Sequence, residues 1–273
     1  MLAYEALHSQ AACSFSKVAK AIRGFGGKPT SAAIGLDPEI LESVSSELEG
    51  VSGFGICVDT DNHFPKGLLD DKIPASLFYY KGDIGLLDGK NISIVGARSA
   101  GSEGLNRASR ISRELVENDF TIVSGLAEGV DTAALTGALK QSGNTIAVIG
   151  TPINKYYPKK NEELQNFIAA NHLLISEVPF LRYRNEHFKL HRQHFPLRNR
   201  VMSAISQATV IVEASEKSGT LTQARAALQQ GRKLFILNSC FENQNITWPD
   251  FYERKGAIRV RETEDILRNL EEE

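Results

Sequence analysis

The sequence predicts an α/β protein, with a Rossmann-like, doubly wound and mostly parallel sheet that follows a small helical N-terminal module. From about residue 90 onward, short β-branched runs alternate with amphipathic stretches of helical period. The runs are apolar throughout, which is typical of strands covered by helices on both faces. Glycine-rich turns follow several of the runs. Because ligands of such sheets bind beyond the carboxyl ends of the strands, we expect a ligand site there.

The chain divides into a helical module at residues 1–50 and a Rossmann-like core at residues 51–273. The module contains helical segments, and the first part of the core contains β segments before the regular alternation begins. The predicted helices lie at 15–22, 37–48, 103–118, 131–141, 161–171, 201–206 and 221–230. The predicted strands lie at 54–58, 78–81, 91–95, 121–123, 145–149, 173–175, 209–213 and 233–237.

Composition excludes several classes of protein. The 273 residues are 42% hydrophobic and 23% charged, with a formal net charge of −2, as in ordinary soluble globular chains. Cys13, Cys57 and Cys240 are scattered and form no Cys-x-x-Cys pair, so we expect neither a disulfide framework nor a zinc knuckle. The chain begins without a leader pattern and has no apolar run of membrane-spanning length. We therefore expect a cytoplasmic protein.

Residues 179–200 form the most basic stretch of the chain. Its cations are Arg182, Arg184, Lys189, Arg192, Arg198 and Arg200. Glu186 is its acid, and the interleaved aromatic residues are Phe180, Tyr183, Phe188 and Phe195. Cations that neutralise phosphates, alternating with rings on which bases stack, are typical of surfaces that bind single-stranded nucleic acid. A solvated charged face would show the same composition.

Two adjacent motifs favour the phosphate-binding interpretation. The run Phe-Pro-Leu-Arg-Asn-Arg at residues 195–200 precedes an apolar strand and the turn Ser-Gly-Thr-Leu at residues 218–221. Guanidinium groups beside the exposed amides of a helix start provide donors for phosphate. An ordinary capped turn after a buried strand is the alternative.

The ordered set of motifs resembles the DprA/Smf family of DNA-processing proteins, over about residues 64–232. The motifs are Phe64-Pro65, Leu77-Phe78-Tyr79-Tyr80-Lys81-Gly82, Val95-Gly96-Ala97-Arg98, Ser124-Gly125-Leu126-Ala127-Glu128-Gly129-Val130-Asp131, Tyr157-Pro158, Ser176-Glu177 with Pro179, Phe195-Pro196-Leu197-Arg198-Asn199-Arg200, Glu213-Ala214 and Ser218-Gly219-Thr220-Leu221. Several signatures in a fixed order are far more specific than any one of them.

The resemblance implies a cytoplasmic, non-enzymatic homodimer that binds single-stranded DNA, protects it and loads a RecA-type recombinase, as in natural transformation. It implies no cofactor and no metal. The phosphate-binding residues that it implies are Gly96, Arg98, Ser124, Gly125, Lys159, Arg198, Asn199, Arg200, Ser218, Gly219 and Thr220. We expect accessory DNA contacts from Arg182, Arg184, Lys189 and Arg192.

The chain also departs from the family pattern. Leu135 stands where the family carries a histidine, and residues 238–245 lack the expected Pro-Gly turn and glycine-rich segment. The basic segment at residues 181–194, which we call the insertion, is longer than the family's. We expect the Rossmann-like core without the family's C-terminal winged helix. These departures predict a divergent branch of the family.

Other interpretations remain open at this stage. A nucleotide phosphoribohydrolase-like enzyme would use a glycine-threonine turn and a catalytic acid, yet Gln223 lies near the place of that acid. Glu177 and Glu213 could form a catalytic pair or orient arginines instead. A nucleotide-sensing module of a defence or signalling system would also fit. His187, His191 and His194 would share one face of a helix, but the pattern supplies no fourth metal ligand beyond the adjacent Glu186.

Overall fold

A computed structural model describes residues 1–9, 14–26, 29–33, 35–69 and 75–271. The helices are α1 (Leu2–Ser9), α2 (Phe15–Gly24), α3 (Pro29–Ala32), α4 (Pro38–Glu47), α5 (Lys66–Leu69), α6 (Ser102–Val116), α7 (Val130–Lys140), α8 (Glu162–Asn171), α9 (Phe180–Asn185), α10 (His194–Ala204), α11 (Thr220–Gln229), α12 (Asn238–Phe241), α13 (Trp248–Glu253) and α14 (Thr263–Glu271). The strands are β1 (Gly55–Val58), β2 (Leu77–Gly82), β3 (Asn91–Val95), β4 (Thr121–Ser124), β5 (Thr145–Ile149), β6 (Leu173–Ser176), β7 (Ala208–Ile211), β8 (Lys233–Leu237) and β9 (Ile258–Val260). Short 3-10 helices occur at Ile84–Asp88, Lys159–Asn161 and Phe188–Gln193.

The strands form a single nine-stranded sheet in the order β1-β2-β6-β5-β4-β3-β7-β8-β9. The pairings from β6 to β9 are parallel, whereas β1 and β2 add an antiparallel edge. The predicted doubly wound and mostly parallel α/β fold is therefore confirmed. Because the chain winds outward from β3 to β6 and then returns to place β7 on the other side of β3, the order reverses between β3 and β7. Crevices at such reversals are where ligands of these sheets bind.

Successive strand residues enter different hydrophobic layers, as the pleat requires. Ile94 and Val210 pack with α6, α7 and α14 on one face of the sheet. Val95 and Ile211, the next residues along, pack with α10, α11 and α13 on the other. Helices on both faces explain why the strands are apolar throughout.

The N-terminal helices pack on the sheet through residues that share one hydrophobic cluster with β2, β5 and β6. The buried carboxylate of Glu5 in α1 accepts hydrogen bonds from Tyr79 Oη and from the backbone N–H groups of Phe180 and Leu181. These bonds join α1 to β2 and to the start of α9. The division of the chain at residue 50 stays a prediction.

The structure differs from the sequence-based boundaries most strongly at α10. We predicted a helix at 201–206, but α10 begins at His194 and includes the whole Phe195–Arg200 run, so both motif arginines are helical. Pro196 is compatible with this start because the first-turn N–H groups of a helix have no intrahelical partner. Strand β9 and helix α14 were not predicted individually. Cys13 lies outside the described residues, and within them no helix is both long and apolar enough to cross a membrane.

Candidate functional site

A cavity of about 850 Å³ opens where the sheet order reverses, at the carboxyl ends of β3 and β7. Its walls are formed by the loops after these strands, the start of α11, one face of α10 and the segment after β8. Seven of the predicted site residues line it, namely Gly96, Arg98, Arg198, Asn199, Ser218, Gly219 and Thr220. We call it the rim cavity, and its size suits a nucleotide-sized ligand.

Arg98 follows β3 directly and is exposed at the mouth of the rim cavity. Its guanidinium carbon lies 5.3 Å from the ring centroid of Phe195, a distance suited to a cation–π contact. No carboxylate of the described residues forms an ion pair with Arg98 within 4.0 Å. This guanidinium is therefore available to an anionic ligand.

Arg198, on α10, is only 6% exposed and reaches behind the cavity wall. Its Nη1 donates to the carbonyl oxygen of Val148 at 2.9 Å, which anchors α10 to the end of β5. A Cβ built at Gly125 would overlap this guanidinium, so glycine is required where Arg198 passes. Gly150 is similar, because an added Cβ would lie 2.7 Å from Phe195 Cδ1. The glycines after β4 and β5 thus admit the two α10 side chains that form the cavity wall.

Asp131, in the first turn of α7, is the buried acid that faces these arginines. Burial raises the pKa of its carboxyl, while Arg198, the backbone N–H of Ala127 and Arg98 act in the opposite direction. Burial likewise lowers the pKa of Arg198, although Asp131 opposes that change. The opposite charges of Asp131 and Arg198 therefore offset part of the free-energy cost of burying the two groups. Arg98 is the exposed arginine beside them.

The Ser-Gly-Thr turn connects α11 to the loop after β3. Ser218 Oγ accepts from the Thr220 N–H at 3.1 Å, and Thr220 Oγ1 donates to the Gly96 carbonyl at 3.2 Å. The N–H groups of Leu221 and Thr222 bond to carbonyl oxygens within the same turn. Fewer helix-start amides face the cavity than the sequence suggested, and the side-chain cations are the stronger anion donors.

Asn199, within α10, donates from Nδ2 to the carbonyl of Gly219 at the start of α11, at 3.2 Å. Gln223, near where a phosphoribohydrolase would carry its acid, is fully buried. Its side-chain amide lies 3.2 Å from Thr209 Oγ1, between the two helices and β7. Both amides connect elements of the cavity wall.

Two acids also line the rim cavity, and their place in its lining was not predicted from the sequence. Glu213 and Glu216 line it, and Glu216 accepts from the N–H and Oγ1 of Thr247 at 2.8 Å each. Those hydrogen bonds hold the pKa of the exposed Glu216 carboxyl below its usual value. Cys240 also lines the cavity, but burial and the nearby Glu213 raise the pKa of its thiol to about 12. The lining of the rim cavity is therefore of mixed charge, with both arginines and glutamates.

Aromatic rings continue the cationic wall outward. The Tyr157 ring lies 5.4 Å from the Phe195 ring, and Arg98 lies over Phe195 as described above. Tyr157 is 48% exposed. We call Tyr157, Phe195 and Arg98 the stacking column, because a planar group at the cavity mouth would meet either a ring or a guanidinium face.

Four predicted site residues lie outside the cavity lining. Gly125 supports Arg198 from behind, and Ser124 is buried, with its hydroxyl donating to the Ile94 carbonyl at 2.6 Å. Lys159 is exposed, lies over the Tyr156 ring and pairs with Glu162 at 2.5 Å. Arg200 is buried and donates to both carboxylate oxygens of Glu177, at 3.1 and 3.0 Å.

The insertion cations separate into two kinds. Arg182 pairs with Glu186 at 2.5 Å and lies over the Phe15 ring, and Arg184 pairs with Glu47 of α4. Lys189 and Arg192 are exposed, with no ion pair in the described part of the chain. Half of the predicted accessory cations therefore join the insertion to the N-terminal helices.

The three insertion histidines do not share one helix face, because a 3-10 helix separates His187 from α10. His191 Nε2 lies 2.8 Å from the Tyr183 carbonyl, and His194 Nε2 lies 2.9 Å from Glu186. The described residues contain no group of three His, Cys, Asp or Glu arranged to hold a metal ion. Leu135, at the family's histidine position, is fully buried.

A family model described as DNA recombination-mediator protein A matches residues 55–271. DNA processing protein DprA of Streptococcus pneumoniae is 33% identical over 228 residues, which cover 84% of this chain and 77% of that protein. The chain belongs to this family. The predicted resemblance is thereby confirmed, and its match extends beyond the quoted motifs into β9 and α14.

Solved DprA structures agree with this membership. The X-ray structure of DprA from Streptococcus pneumoniae superposes with a TM-score of 0.80 at 27% identity, covering 97% of this chain and 95% of that one. A Helicobacter pylori DprA structure, described in terms of its single-stranded DNA binding mode, superposes with a TM-score of 0.66 at 28% identity and covers 80% of this chain and 96% of that one. Both likenesses extend over most of the sheet that carries the rim cavity.

Proposed function

We propose that this protein binds single-stranded DNA in the rim cavity, with a phosphate at Arg98 and bases against the stacking column. The single observation that carries the proposal is the exposed, unpaired guanidinium of Arg98 beside the rings of Phe195 and Tyr157. Guanidinium groups grip phosphate oxygens in pairs, and exposed rings accept any base. Family membership supports the same class of ligand.

Single strands suit this geometry better than duplexes. In a duplex the bases are stacked on each other and paired, so the faces that Tyr157 and Phe195 would contact are covered. An unpaired strand offers a phosphate and a free base face to the same wall.

Among the predicted phosphate contacts, we retain those that line the cavity. Arg98 provides the main charge, while Gly96, Asn199, Ser218, Gly219 and Thr220 form the adjoining wall. Arg198 acts mainly by holding that wall, because its guanidinium is buried against Val148 and Asp131. We assign Arg200 a structural role because its guanidinium donates hydrogen bonds to both carboxylate oxygens of the buried Glu177.

We also propose that the protein acts as a homodimer and delivers the bound strand to a RecA-type recombinase. Both statements are supported by membership of the recombination-mediator family. Light scattering of the purified protein should give twice the chain mass. Adding the protein should accelerate recombinase assembly on single strands that carry a competing single-strand-binding protein.

The proposed function requires no catalysis. Glu177 pairs with Arg200 outside the rim cavity, so it does not join Glu213 in one site. Gln223 supplies no acid near the glycine-threonine turn. Incubation with nucleoside monophosphates should therefore release neither base nor ribose phosphate. Turnover that disappears in Glu213→Gln would instead favour the phosphoribohydrolase-like alternative.

The ligand class is tested by parallel binding isotherms for single-stranded DNA, duplex DNA and a nucleoside monophosphate. We expect the single strand to bind most tightly. Tyr157→Ala should weaken that binding by about 1–3 kcal/mol, the usual value of one base–ring stack. Phe167→Ala, an exposed aromatic change on α8 away from the cavity, is the matched control. Equal affinity for all three ligands, or an unaffected Tyr157→Ala variant, would contradict the proposal.

A further inference from the structure

A second cavity, of about 160 Å³, lies beside the rim cavity at the same edge of the sheet. It is bounded by α6 and by the segments that follow β8 and β9. Arg107 and Ser239 line both cavities, so the two adjoin across these side chains. We call the second cavity the side groove.

Cations from two separate elements line the side groove. Arg107 and Arg110 come from α6, and Arg261 follows β9. Arg110 lies 3.7 Å from Glu114 in an exposed pair, and the Arg261 side chain has no ion pair within 4.0 Å in the described ranges. Exposed pairs of this kind contribute little, so a phosphate can replace the carboxylate.

Acids are also present in and beside the side groove, and they limit its affinity. Glu242 and Glu262 line it, and the Glu242 carboxylate accepts from Asn238 Nδ2 at 2.5 Å. Asp265 lies beneath Arg261 and accepts from the backbone N–H groups of Arg261 and Glu262. Three arginines and two glutamates line the groove, with Glu103, Glu114 and Asp265 beside them. It therefore carries no net positive charge, and contacts made by single guanidinium groups fit an extension of a binding track better than an independent site.

We propose that a bound strand leaves the rim cavity past Arg107 and continues into the side groove, where Arg110 and Arg261 contact its phosphates. This inference rests on the proposed function of the rim cavity. It gives the track a direction, along the carboxyl edge of the sheet towards β9. None of residues 181–194 lines the rim cavity, whereas the side groove shares Arg107 and Ser239 with it, so the side groove is the more direct continuation.

Length dependence distinguishes this track from a single pocket. A strand of about 5 nucleotides is long enough to engage the rim cavity, whereas one of about 15 also reaches the side groove, within the range of sites that follow a backbone. Each phosphate contact adds about 0.7 to the slope of log affinity against log salt. Two extra contacts add about 1.4.

The test measures both strand lengths with wild type and three double variants. Arg110→Ala with Arg261→Ala removes the proposed contacts, and Lys189→Ala with Arg192→Ala removes the exposed insertion cations. Arg113→Ala with Arg225→Ala is the matched control, because these exposed arginines line neither cavity. Thermal melts verify that each variant is folded.

We expect all four proteins to bind the short strand alike. On the long strand, only the Arg110 and Arg261 variant should weaken. The ratio of wild-type to variant affinity for the long strand should be about sevenfold larger at 50 mM than at 200 mM salt. The reason is that losing two contacts lowers the salt exponent of the affinity by about 1.4.

Two results would overturn the proposal. If the Lys189→Ala/Arg192→Ala variant lost affinity for the long strand instead, the strand would run over the insertion rather than along the side groove. Equal long-strand binding by all four proteins would confine the strand to the rim cavity. Failure of wild type to bind the short strand is a different result, because it contradicts the proposed function of the rim cavity itself.

Discussion

The rim cavity and the insertion are the two basic regions of this protein, and they use their cations differently. In the insertion, Arg182 pairs with Glu186, and Arg184 pairs with Glu47. At the rim, Arg98 stays exposed and unpaired beside the Phe195 ring. Lys189 and Arg192 also stay exposed in the insertion, but of these three exposed cations Arg98 alone lines the rim cavity.

This contrast arises from what surrounds each cation. The insertion packs on the N-terminal helices, where Phe15 lies between Arg182 and the buried His194. Burial would raise the pKa of Glu186, but hydrogen bonds from Arg182 and His194 outweigh it and hold the pKa below its usual value. The rim lies at the end of the sheet, where loops leave side chains in solvent. An exposed position beside a cavity, rather than the local density of positive charge, is what distinguishes Arg98 as a candidate anion-binding group.

The largest expected change in stability is at Arg200, an arginine of the Phe195–Arg200 motif that pairs with a buried carboxylate instead of facing the cavity. Arg200→Ala should lower the free energy of unfolding by about 3–5 kcal/mol, because it removes the guanidinium that donates to both oxygens of the buried Glu177 carboxylate. Denaturant titration measures this, with Arg192→Ala as the exposed-arginine control. The folded variant should bind a short strand normally. Unchanged stability together with lost binding would return Arg200 to the binding site.

A smaller effect is expected where α1 contacts the start of α9. Glu5→Ala removes the acceptor for the N–H groups of Phe180 and Leu181 and for the Tyr79 hydroxyl. Unsatisfied buried donors should cost about 2 kcal/mol or more in unfolding free energy. Glu42→Ala, an exposed acid on α4, is the control. If Glu5→Ala also weakened short-strand binding, the two regions would be coupled rather than separate.

The insertion side should also lose stability in mild acid, because burial lowers the pKa of His8 and of His194 below the usual 6.5. Arg182 adds to the lowering at both rings, while Glu186 opposes it at His194. The unfolded chain takes up protons below pH 6.5 that the folded protein does not, so stability present above pH 6.5 is lost as the pH falls. Each histidine contributes up to about 1.4 kcal/mol per pH unit. Unfolding titrations from pH 7 to pH 5 measure the loss, and His8→Met should reduce it; a pH-independent free energy would contradict this account.

The smallest effect is expected at the exposed insertion cations. Lys189→Ala with Arg192→Ala should change the unfolding free energy by no more than about 0.5 kcal/mol, as is usual for surface positions without partners. Chemical denaturation checks this. A larger loss would show that these side chains have a structural role like that of Arg182.

The sequence predicted the fold well because its main signals are local. Alternating apolar runs and helical periods indicated the strands from 91–95 to 233–237, and the glycine turns indicated the edge at which the cavity lies. The start of α10 was wrong by several residues, since Pro196 is compatible with both a loop and a helical first turn. Local pattern does not decide between those two.

The site was predicted less completely, since its properties depend on contacts distant in sequence. The sequence left open that Glu177 orients an arginine, and in the structure that arginine is Arg200, but no motif indicates that Glu47 meets Arg184. The acids in the cavity lining were also missed, although Glu213 lies just after its strand, because an acid at a strand end gives no indication of which loops surround it. Arg107 carries no motif signal, and the structure alone places it between two cavities.

The most direct test of the central claim compares the salt dependence of short-strand binding for wild type, Arg98→Ala and the Lys189→Ala/Arg192→Ala variant. Arg225→Ala is the matched control, an exposed arginine outside both regions. The account predicts that Arg98→Ala weakens binding and reduces the slope of log affinity against log salt by about 0.7, whereas the insertion variant keeps the wild-type affinity and slope. An unchanged slope in Arg98→Ala, or a reduced slope in the insertion variant, would contradict it.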